Sequence, residues 1–192
     1  DCSSRGLGDV YKRQHNLFDP RGVVAISSRP LANRKNNLDG LRLGVLDNSK
    51  WNANKILRGS AAALSEVIDF AAVNYYVKKH GFSTDAPEEL IEQIVQENDI
   101  VITAIGDCGS CCSCCVRDAV AIEDRGVPAA PIITTEFVNE TKLTRSAIGM
   151  PDLRPVVIDH PVSSITDSEV AERVATIKVQ AQEVWLGQIA DI

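Results

Sequence analysis

The stretch from Asp99 to Thr135 constrains the fold more than any other part of the sequence. It opens with an apolar run, Ile100 to Ile105, which predicts a buried strand that ends in a glycine turn. Five cysteines follow between positions 108 and 115, and apolar side chains then recur at helical spacing as far as Gly126, a typical helix stop. A second apolar run at Ile132 to Thr135 completes a strand–helix–strand unit. Its thiols lie where the first strand becomes the helix, which is where parallel α/β proteins usually place their chemistry.

Short apolar runs alternate with amphipathic segments along the rest of the chain. The other predicted strands are Leu41–Leu46, Ala72–Val77 and Pro155–Asp159, and the other predicted helices are Asn52–Val67, Pro87–Asn98, Phe137–Ala147 and Asp167–Trp185. This alternation predicts the α/β class, as a single doubly wound, Rossmann-like or flavodoxin-like domain with a five-stranded parallel sheet. Right-handed crossovers favour the strand order 2-1-3-4-5. The loops after strands one and three would then form the ligand crevice.

The length of 192 residues suits one sizeable domain and is short for two. We expect that domain at residues 41–192, after a polar lead-in at residues 15–40. Residues 1–14 have no apolar periodicity and look like a translated sequencing adapter, so we expect a non-native tail there that includes Cys2.

Composition argues against several functional classes. No apolar run approaches the ~20 residues that a membrane helix needs. The net charge of −6 is dispersed, and the sequence has no basic stripe of the kind that binds nucleic acid. Five of the six cysteines cluster and cannot staple distant loops, and no signal peptide is apparent. We therefore expect a redox or metal site in the reducing cytoplasm.

Cys108 and Cys111 form a C-x-x-C pair around Gly109 and Ser110. This spacing brings the second sulfur within reach of the first across one helical turn, and backbone N–H groups at a helix start stabilise a thiolate. We assign Cys108 as the catalytic nucleophile and Cys111 as the resolving thiol, with Gly109 leaving the first sulfur accessible. Asp107 opposes this slightly, because a nearby carboxylate disfavours a thiolate.

The remaining cysteines leave an alternative open. Cys112 and Cys115 fall on or beside the apolar helix face and are expected to be core residues. Cys114 extends the pair to C-x-x-C-x-x-C, which resembles part of an iron–sulfur motif without its fourth cysteine and proline. No second C-x-x-C completes a zinc site. We expect no cofactor, and keep an iron–sulfur or zinc module on Cys108, Cys111 and Cys114 as the alternative.

Polar residues follow the predicted strands at the crevice. Amides and a lysine there suit a small anionic substrate, although a helix cap and a solvated turn explain the loop after strand one equally well. Either Glu136 or His160 is a candidate proton donor. The candidate substrate-binding residues are Asp47, Asn48, Lys50, Asn52, Asn54, Gly109, Ser110, Thr135, Glu136 and His160.

The segment GDCGSCCSCCVRDAVAIEDRGVP resembles the UGSC family, the Sec-Gly-Ser-Cys proteins, which are commonly grouped with the B component of glycine, sarcosine and betaine reductases. The stretches LDNSKWNANKIL, ITTEF and MPDLRPVVIDHP match the family as well, and the resemblance covers most of residues 38–186. Cys108 stands where many relatives carry selenocysteine.

The resemblance implies thiol- or selenol-based redox chemistry, in which the chalcogen attacks a carbon bearing a leaving group and a second thiol releases the product. We expect a cytoplasmic oxidoreductase that reduces or reductively cleaves a small molecule and is served by a thiol reductant protein. The alternatives are the metal-binding module and a thiol–disulfide oxidoreductase that acts on proteins. Small α/β domains often pair, so a homo-oligomer is compatible with these features.

Overall fold

The structure is a computed structural model and describes residues 26–188. The predictions for residues 1–14, including Cys2, and for the lead-in as far as residue 25 lie outside the described residues. Within residues 42–188, five strands and five helices alternate. The strands are β1 (Arg42–Asp47), β2 (Ala72–Val77), β3 (Ile100–Gly106), β4 (Ala129–Thr134) and β5 (Val156–Ile158). The helices are α1 (Ala53–Ser65), α2 (Glu88–Glu97), α3 (Gly109–Glu123), α4 (Val138–Ala147) and α5 (Asp167–Leu186), with a short 3₁₀ turn at Thr135–Phe137.

The strands form one parallel sheet in the order β2-β1-β3-β4-β5, as predicted. Helices α1 and α5 pack on one face of the sheet, and α2 and α3 pack on the other. Each face has its own apolar core because side chains alternate along a strand: Ile100 and Ile102 of β3 point into one cluster and Val101 into the other. The fold is therefore doubly wound, and the central strand β3 is buried along its whole length.

The described part of the lead-in packs against the domain. The Lys35 N–H donates to the Trp185 carbonyl at 2.9 Å, and the Ala32 N–H donates to the Glu123 carboxylate at 2.8 Å. Arg34 completes the attachment, since its guanidinium meets the same buried carboxylate at 2.5 Å. Residues 32–35 thus belong to the folded unit although they form no helix or strand.

The predicted start of β4 is wrong by three residues. The strand begins at Ala129 instead of Ile132 and includes Pro131. Pairing with β5 starts only at Ile132, so Pro131 lies where β4 has β3 alone as its neighbour. A proline without an N–H is tolerated there, because a strand needs that donor only toward a paired neighbour.

The strand order brings the loop after β1 against the end of β3. Asp47 lies opposite Ala104 in the parallel register, and the Asn48 N–H donates to the Ala104 carbonyl at 3.0 Å. The loops after β1 and β3 therefore lie side by side, as the predicted strand order requires, and the cysteine turn lies next to the loop after β1.

Candidate functional site

The dithiol turn, defined here as Cys108–Cys111, forms the junction between β3 and α3. Cys108 is the N-cap residue of α3 and has an extended backbone, and its sulfur accepts a hydrogen bond from the Cys111 N–H at 3.3 Å. A cysteine in the N-cap position satisfies a backbone donor that the helix leaves unpaired. The first helical turn thus directs its N–H groups toward the Cys108 sulfur.

Both cysteines of the turn are free thiols, and their sulfur atoms lie 2.7 Å apart. Cys111 is buried and receives the Asp107 N–H on its sulfur at 3.1 Å, whereas Cys108 is partly exposed. The Ser110 hydroxyl lies 3.6 Å from the Cys108 sulfur. The pair is therefore positioned for direct exchange between an accessible sulfur and a protected one.

The environment separates the acidities of the two thiols. Partial burial acts to raise the pKa of Cys108, but hydrogen bonds from the Cys111 side chain and backbone and from Ser110, with the charge of Lys50, bring that pKa below its ordinary value. Burial, followed by the hydrogen bond with Cys108, raises the pKa of Cys111 to about 12. Cys108 is therefore the more acidic thiol of the pair, and Cys111 is the less acidic one.

Two glycines shape the turn in different ways. A Cβ on Gly106 would lie 2.9 Å from Ile133 Cγ2 and 3.0 Å from Cys112 Cα, so only glycine lets α3 start this close to the sheet. A Cβ on Gly109 would meet no atom within 4 Å. An alanine would therefore fit at position 109, and no steric contact among the described residues requires glycine there.

The other three clustered cysteines are buried. Cys112 packs in the core with its sulfur 3.1 Å from Thr141 Oγ1, and Cys115 lies 3.3 Å from Thr103 Oγ1, so the prediction that both are core residues is confirmed. Burial raises the pKa of Cys112 to about 11 and raises that of Cys115 as well. Burial also raises the pKa of Cys114. None of these three thiols shares the lowered pKa of Cys108.

The asparagines of the loop after β1 hold loops together. The Asn48 side chain donates to the Ile105 carbonyl at 3.0 Å, and the Asn52 side chain donates to the Val162 carbonyl at 2.7 Å. Asn54 spans from the Asp47 carboxylate, 3.4 Å away, to the guanidinium of Arg58. These amides, proposed to bind substrate, are occupied by protein groups and fix the crevice wall.

Lys50 is the cation of this loop nearest to the dithiol turn. Its charge lowers the pKa of Cys108, and its Nζ lies 4.5 Å from the centre of the Phe82 ring. Ser49 and Asn52 on either side adopt left-handed backbone conformations, with φ of 63° and 61°. Such conformations are uncommon outside glycine and occur often at functional sites.

Sequence reasoning missed the loop after β2, which closes one side of the site. Ser83 lies 3.2 Å from Ser110, hydroxyl to hydroxyl, at the first turn of α3. The loop is anchored by a buried ion pair, in which Lys78 Nζ is 2.6 Å from Asp118 and the two side chains are 1% and 2% exposed. Asp118 also accepts the Ala86 N–H at 2.7 Å. An acidic residue on the apolar face of α3 was the available signal, because a buried charge requires a partner.

The predicted residues after β4 and β5 meet on the other side of the turn. The backbone N–H of His160 donates to Thr135 Oγ1 at 3.3 Å, and Glu136 is exposed on the 3₁₀ turn that begins at Thr135. His160 Nδ1 also lies 3.0 Å from Asp107, which sequence reasoning treated only as an unfavourable charge. The ends of β3, β4 and β5 thus bring Asp107, Thr135 and His160 together.

A cavity of about 540 Å³ lies between α4, β5 and α5 and is lined by none of the predicted site residues. Within residues 26–188, no group of three or more His, Cys, Asp or Glu side chains is arranged to hold a metal ion. No helix in that same part of the chain is both long enough and apolar enough to cross a membrane.

The fold and the site define a flavodoxin-like α/β domain with a dithiol turn at its switch point. The chain belongs to the UGSC family, whose family model matches residues 16–187. Among solved structures, the flavodoxin-like domain of a Synechococcus sp. protein is similar, with a TM-score of 0.40 and 11% sequence identity over 77% of this chain and 99% of that one. No curated protein matches the chain.

Proposed function

We propose that this protein is a dithiol reductase of small molecules in which Cys108 is the nucleophile and Cys111 the resolving thiol. The asymmetry of the pair carries the proposal. Cys108 is accessible, sits at a helix start and has a lowered pKa, whereas Cys111 is buried with its pKa raised to about 12. A low-pKa exposed thiolate beside a second thiol is the arrangement used by redox-active cysteines.

In the proposed reaction, the Cys108 thiolate attacks a substrate atom that bears a leaving group, and the leaving group departs with its bonding electrons. Cys111 then loses its proton and attacks the Cys108 sulfur, which forms the Cys108–Cys111 disulfide. The remainder of the substrate leaves with the electron pair of the broken bond and takes up a proton. Two thiols are oxidised to a disulfide, and the substrate gains two electrons with hydrogen in place of its leaving group.

Around the sulfur, the side chains suit a substrate with an anionic group. Lys50 supplies a positive charge, and the N-terminus of α3 directs backbone N–H groups to the same place. Ser110 and Ser83 add hydroxyls on the facing wall. We propose these groups as the substrate contacts, with the asparagines of the loop after β1 holding the wall in place.

We also propose a relationship to the selenoprotein B component of glycine, sarcosine and betaine reductases, with Cys108 in the position of selenocysteine. A cysteine thiolate in that position would form and break the same bonds as a selenolate, and we expect it to react more slowly than the selenolate. A thiol reductant protein would return the disulfide to the dithiol. Since this cycle needs a reducing environment, we place the protein in the cytoplasm.

Alkylation by iodoacetamide across a pH series, read out by peptide mass spectrometry, tests the proposal. Cys108 should be labelled first, with an apparent pKa below the free-thiol value of about 8.5. Mild oxidation should join Cys108 to Cys111, and Cys111→Ser should trap a substrate or disulfide adduct on Cys108. Cys114→Ser is the matched control and should change neither result. Equal labelling of all five clustered cysteines, or their joint protection by bound metal, would support the metal module instead.

One observation favours a second candidate, a thiol–disulfide oxidoreductase that acts on proteins. Trp51, next to Lys50 in the loop after β1, is 71% exposed, and exposed aromatic side chains are common at protein contacts. If proteins are the substrates, Trp51→Ala should slow the reduction of insulin disulfides while leaving alkylation of Cys108 unchanged. Equal insulin reduction by the two proteins would count against this candidate.

A further inference from the structure

Polar side chains that the dithiol chemistry does not use surround the carboxylate of Asp107, at the end of β3. This carboxylate is buried, with 3% of the side chain exposed. Its Oδ2 accepts the Ser163 hydroxyl at 2.9 Å. Its Oδ1 lies 3.0 Å from His160 Nδ1 but receives no aligned hydrogen bond from any described residue. A buried carboxylate oxygen of this kind strongly favours an N–H on the nitrogen that faces it.

A second contact, with Thr134, also favours a hydrogen on His160 Nδ1. His160 Nδ1 lies 3.1 Å from Thr134 Oγ1, and the Thr134 hydroxyl donates its own hydrogen to the Gly106 carbonyl at 3.4 Å. Thr134 therefore presents an acceptor to the ring, as Asp107 does. Acceptors on both sides favour a hydrogen on Nδ1, and with that hydrogen in place any further proton on the ring resides on Nε2.

The ring is held in place while part of it stays open to solvent. The backbone N–H of His160 donates to Thr135 Oγ1. The imidazole ring packs at a tilt against the Phe137 ring, with the ring centres 5.9 Å apart. Its side chain is 34% exposed. An imidazole that is anchored through Nδ1 can use Nε2–H as a proton donor in the crevice.

We propose that His160 donates the proton to the leaving group expelled by Cys108, and that Asp107 is the positioning residue that holds the ring for this step. The inference rests on the proposed dithiol reduction. Asp107 links the parts of the site, because its side chain faces His160, its N–H bonds to the Cys111 sulfur at 3.1 Å, and Cys108 follows it in the chain. One rigid strand end thus orients the proton donor, the nucleophile and the resolving thiol.

The step is balanced with a disulfide as the electrophile. The Cys108 thiolate attacks one sulfur of the disulfide, a new S–S bond forms, and the old S–S bond breaks. The departing thiolate takes the Nε2 proton of doubly protonated His160 and leaves as a thiol. His160 becomes neutral with its remaining hydrogen on Nδ1, between Asp107 and Thr134. Such assistance matters for a strongly basic leaving thiolate and hardly at all for a weakly basic one.

Two uncharged disulfides with different leaving groups make the test. Hydroxyethyl disulfide expels an alkyl thiolate with a strongly basic sulfur, whereas dithiodipyridine expels a pyridinethiolate whose charge is delocalised onto the ring nitrogen, so that its sulfur is weakly basic. Both are mixed with the full-length protein carrying Cys111→Ser, at one fixed pH, and the mixed disulfide on Cys108 is followed by mass spectrometry. In this background His160→Gln should slow the alkyl reaction by about 10²-fold and leave the pyridyl reaction within about twofold. His80→Gln, a matched exposed histidine on the loop after β2, should change neither rate.

Asp107→Asn should slow the alkyl reaction selectively as well, through loss of the acceptor for Nδ1. Asn at this buried position can destabilise the fold, so Ser163→Ala serves as a milder second variant. It removes only the hydrogen bond that the Ser163 hydroxyl donates to Asp107 Oδ2. Thermal melts are recorded for both variants. An equal effect of His160→Gln on the two disulfides, or none on either, would overturn the inference. Absence of any Cys108 adduct before the histidine is changed would instead overturn the proposed function.

Discussion

At the residue scale, the two thiols of the dithiol turn differ because of their places in one helical turn. Cys108 precedes the helix and collects hydrogen-bond donors, whereas Cys111 enters the helix and loses contact with solvent. The lowered pKa of Cys108 makes its thiolate available at a lower pH than that of an ordinary thiol, while the pKa of Cys111, raised to about 12, keeps that thiol protonated well above neutral pH. In the proposed reaction, this difference in pKa would let Cys108 attack while Cys111 is still protonated.

Lys50 should contribute to the reactivity of Cys108 through its charge alone. Lys50→Met removes the positive charge that lowers the pKa of Cys108, so at a pH below that pKa the thiolate fraction falls. We expect alkylation to slow by roughly two- to fivefold, the effect of a partly exposed charge pair. Lys55→Met removes a lysine that pairs with Asp167 and should leave the rate unchanged. Equal alkylation rates for the two variants would show that the charge of Lys50 does not affect the reactivity of Cys108.

The residues that sequence reasoning identified and those it missed differ in the kind of signal they carry. Cys108 and Cys111 were identifiable because spacing along one helical turn is a local property. The contact between Ser83 and Ser110 and the contact between Asp107 and His160 each join separate segments of the chain. No spacing in the sequence predicts them. Sequence reasoning also selected Asn48 and Asn52 as substrate contacts. Their side chains donate to backbone carbonyls of distant loops, and such contacts cannot be read from local spacing.

At the element scale, the close approach of α3 to the sheet depends on Gly106. Gly106→Ala places a Cβ against Ile133 and the backbone of Cys112, and such overpacking costs about 1–3 kcal/mol. For a chain of this size we expect a melting temperature lower by roughly 2–10 °C in thermal denaturation. Gly109→Ala, three residues on, meets open space and is the control with an expected change near zero. A melt of Gly106→Ala that matches the control would contradict the packing of α3 described here.

The buried pair of Lys78 and Asp118 should be the main attachment of the loop after β2. Lys78→Met leaves the Asp118 carboxylate buried without its cation, a change that costs about 3–5 kcal/mol. Adding Asp118→Leu removes the stranded charge and should recover much of that loss in chemical denaturation. If the double variant is no more stable than Lys78→Met alone, the carboxylate is not the source of the instability.

Most element bounds were predictable because apolar periodicity is a direct record of burial on a strand or helix. The β4 start was missed because Pro131 reads as a break, and only the shorter pairing with β5 explains how the strand accommodates it. The loop after β2 has no period to detect, and its place is set by a charge pair between distant segments.

At the scale of the whole molecule, the strand order follows from alternation and handedness, which is why it was predictable before any contact was known. The same order decides where the site lies, since β1 and β3 are neighbours whose following helices α1 and α3 cover opposite faces of the sheet. Sequence reasoning placed the loops after β1, β3 and β5 at the site, but the loop after β2 was beyond prediction because its contact with Ser110 forms only in the folded chain.

Amide hydrogen exchange should reproduce this architecture across the whole molecule. β3 is buried throughout and paired on both sides, so its amides should exchange most slowly, whereas β2 is an edge strand with Tyr75 and Val77 exposed and should exchange faster. Measurement at two protein concentrations adds a test of self-association. Protection of β2 that rises with concentration would show copies of the chain pairing across this edge, which is one way in which a homo-oligomer can form. Exchange of β2 as slow as that of β3 at every concentration would contradict its position at the edge of the sheet.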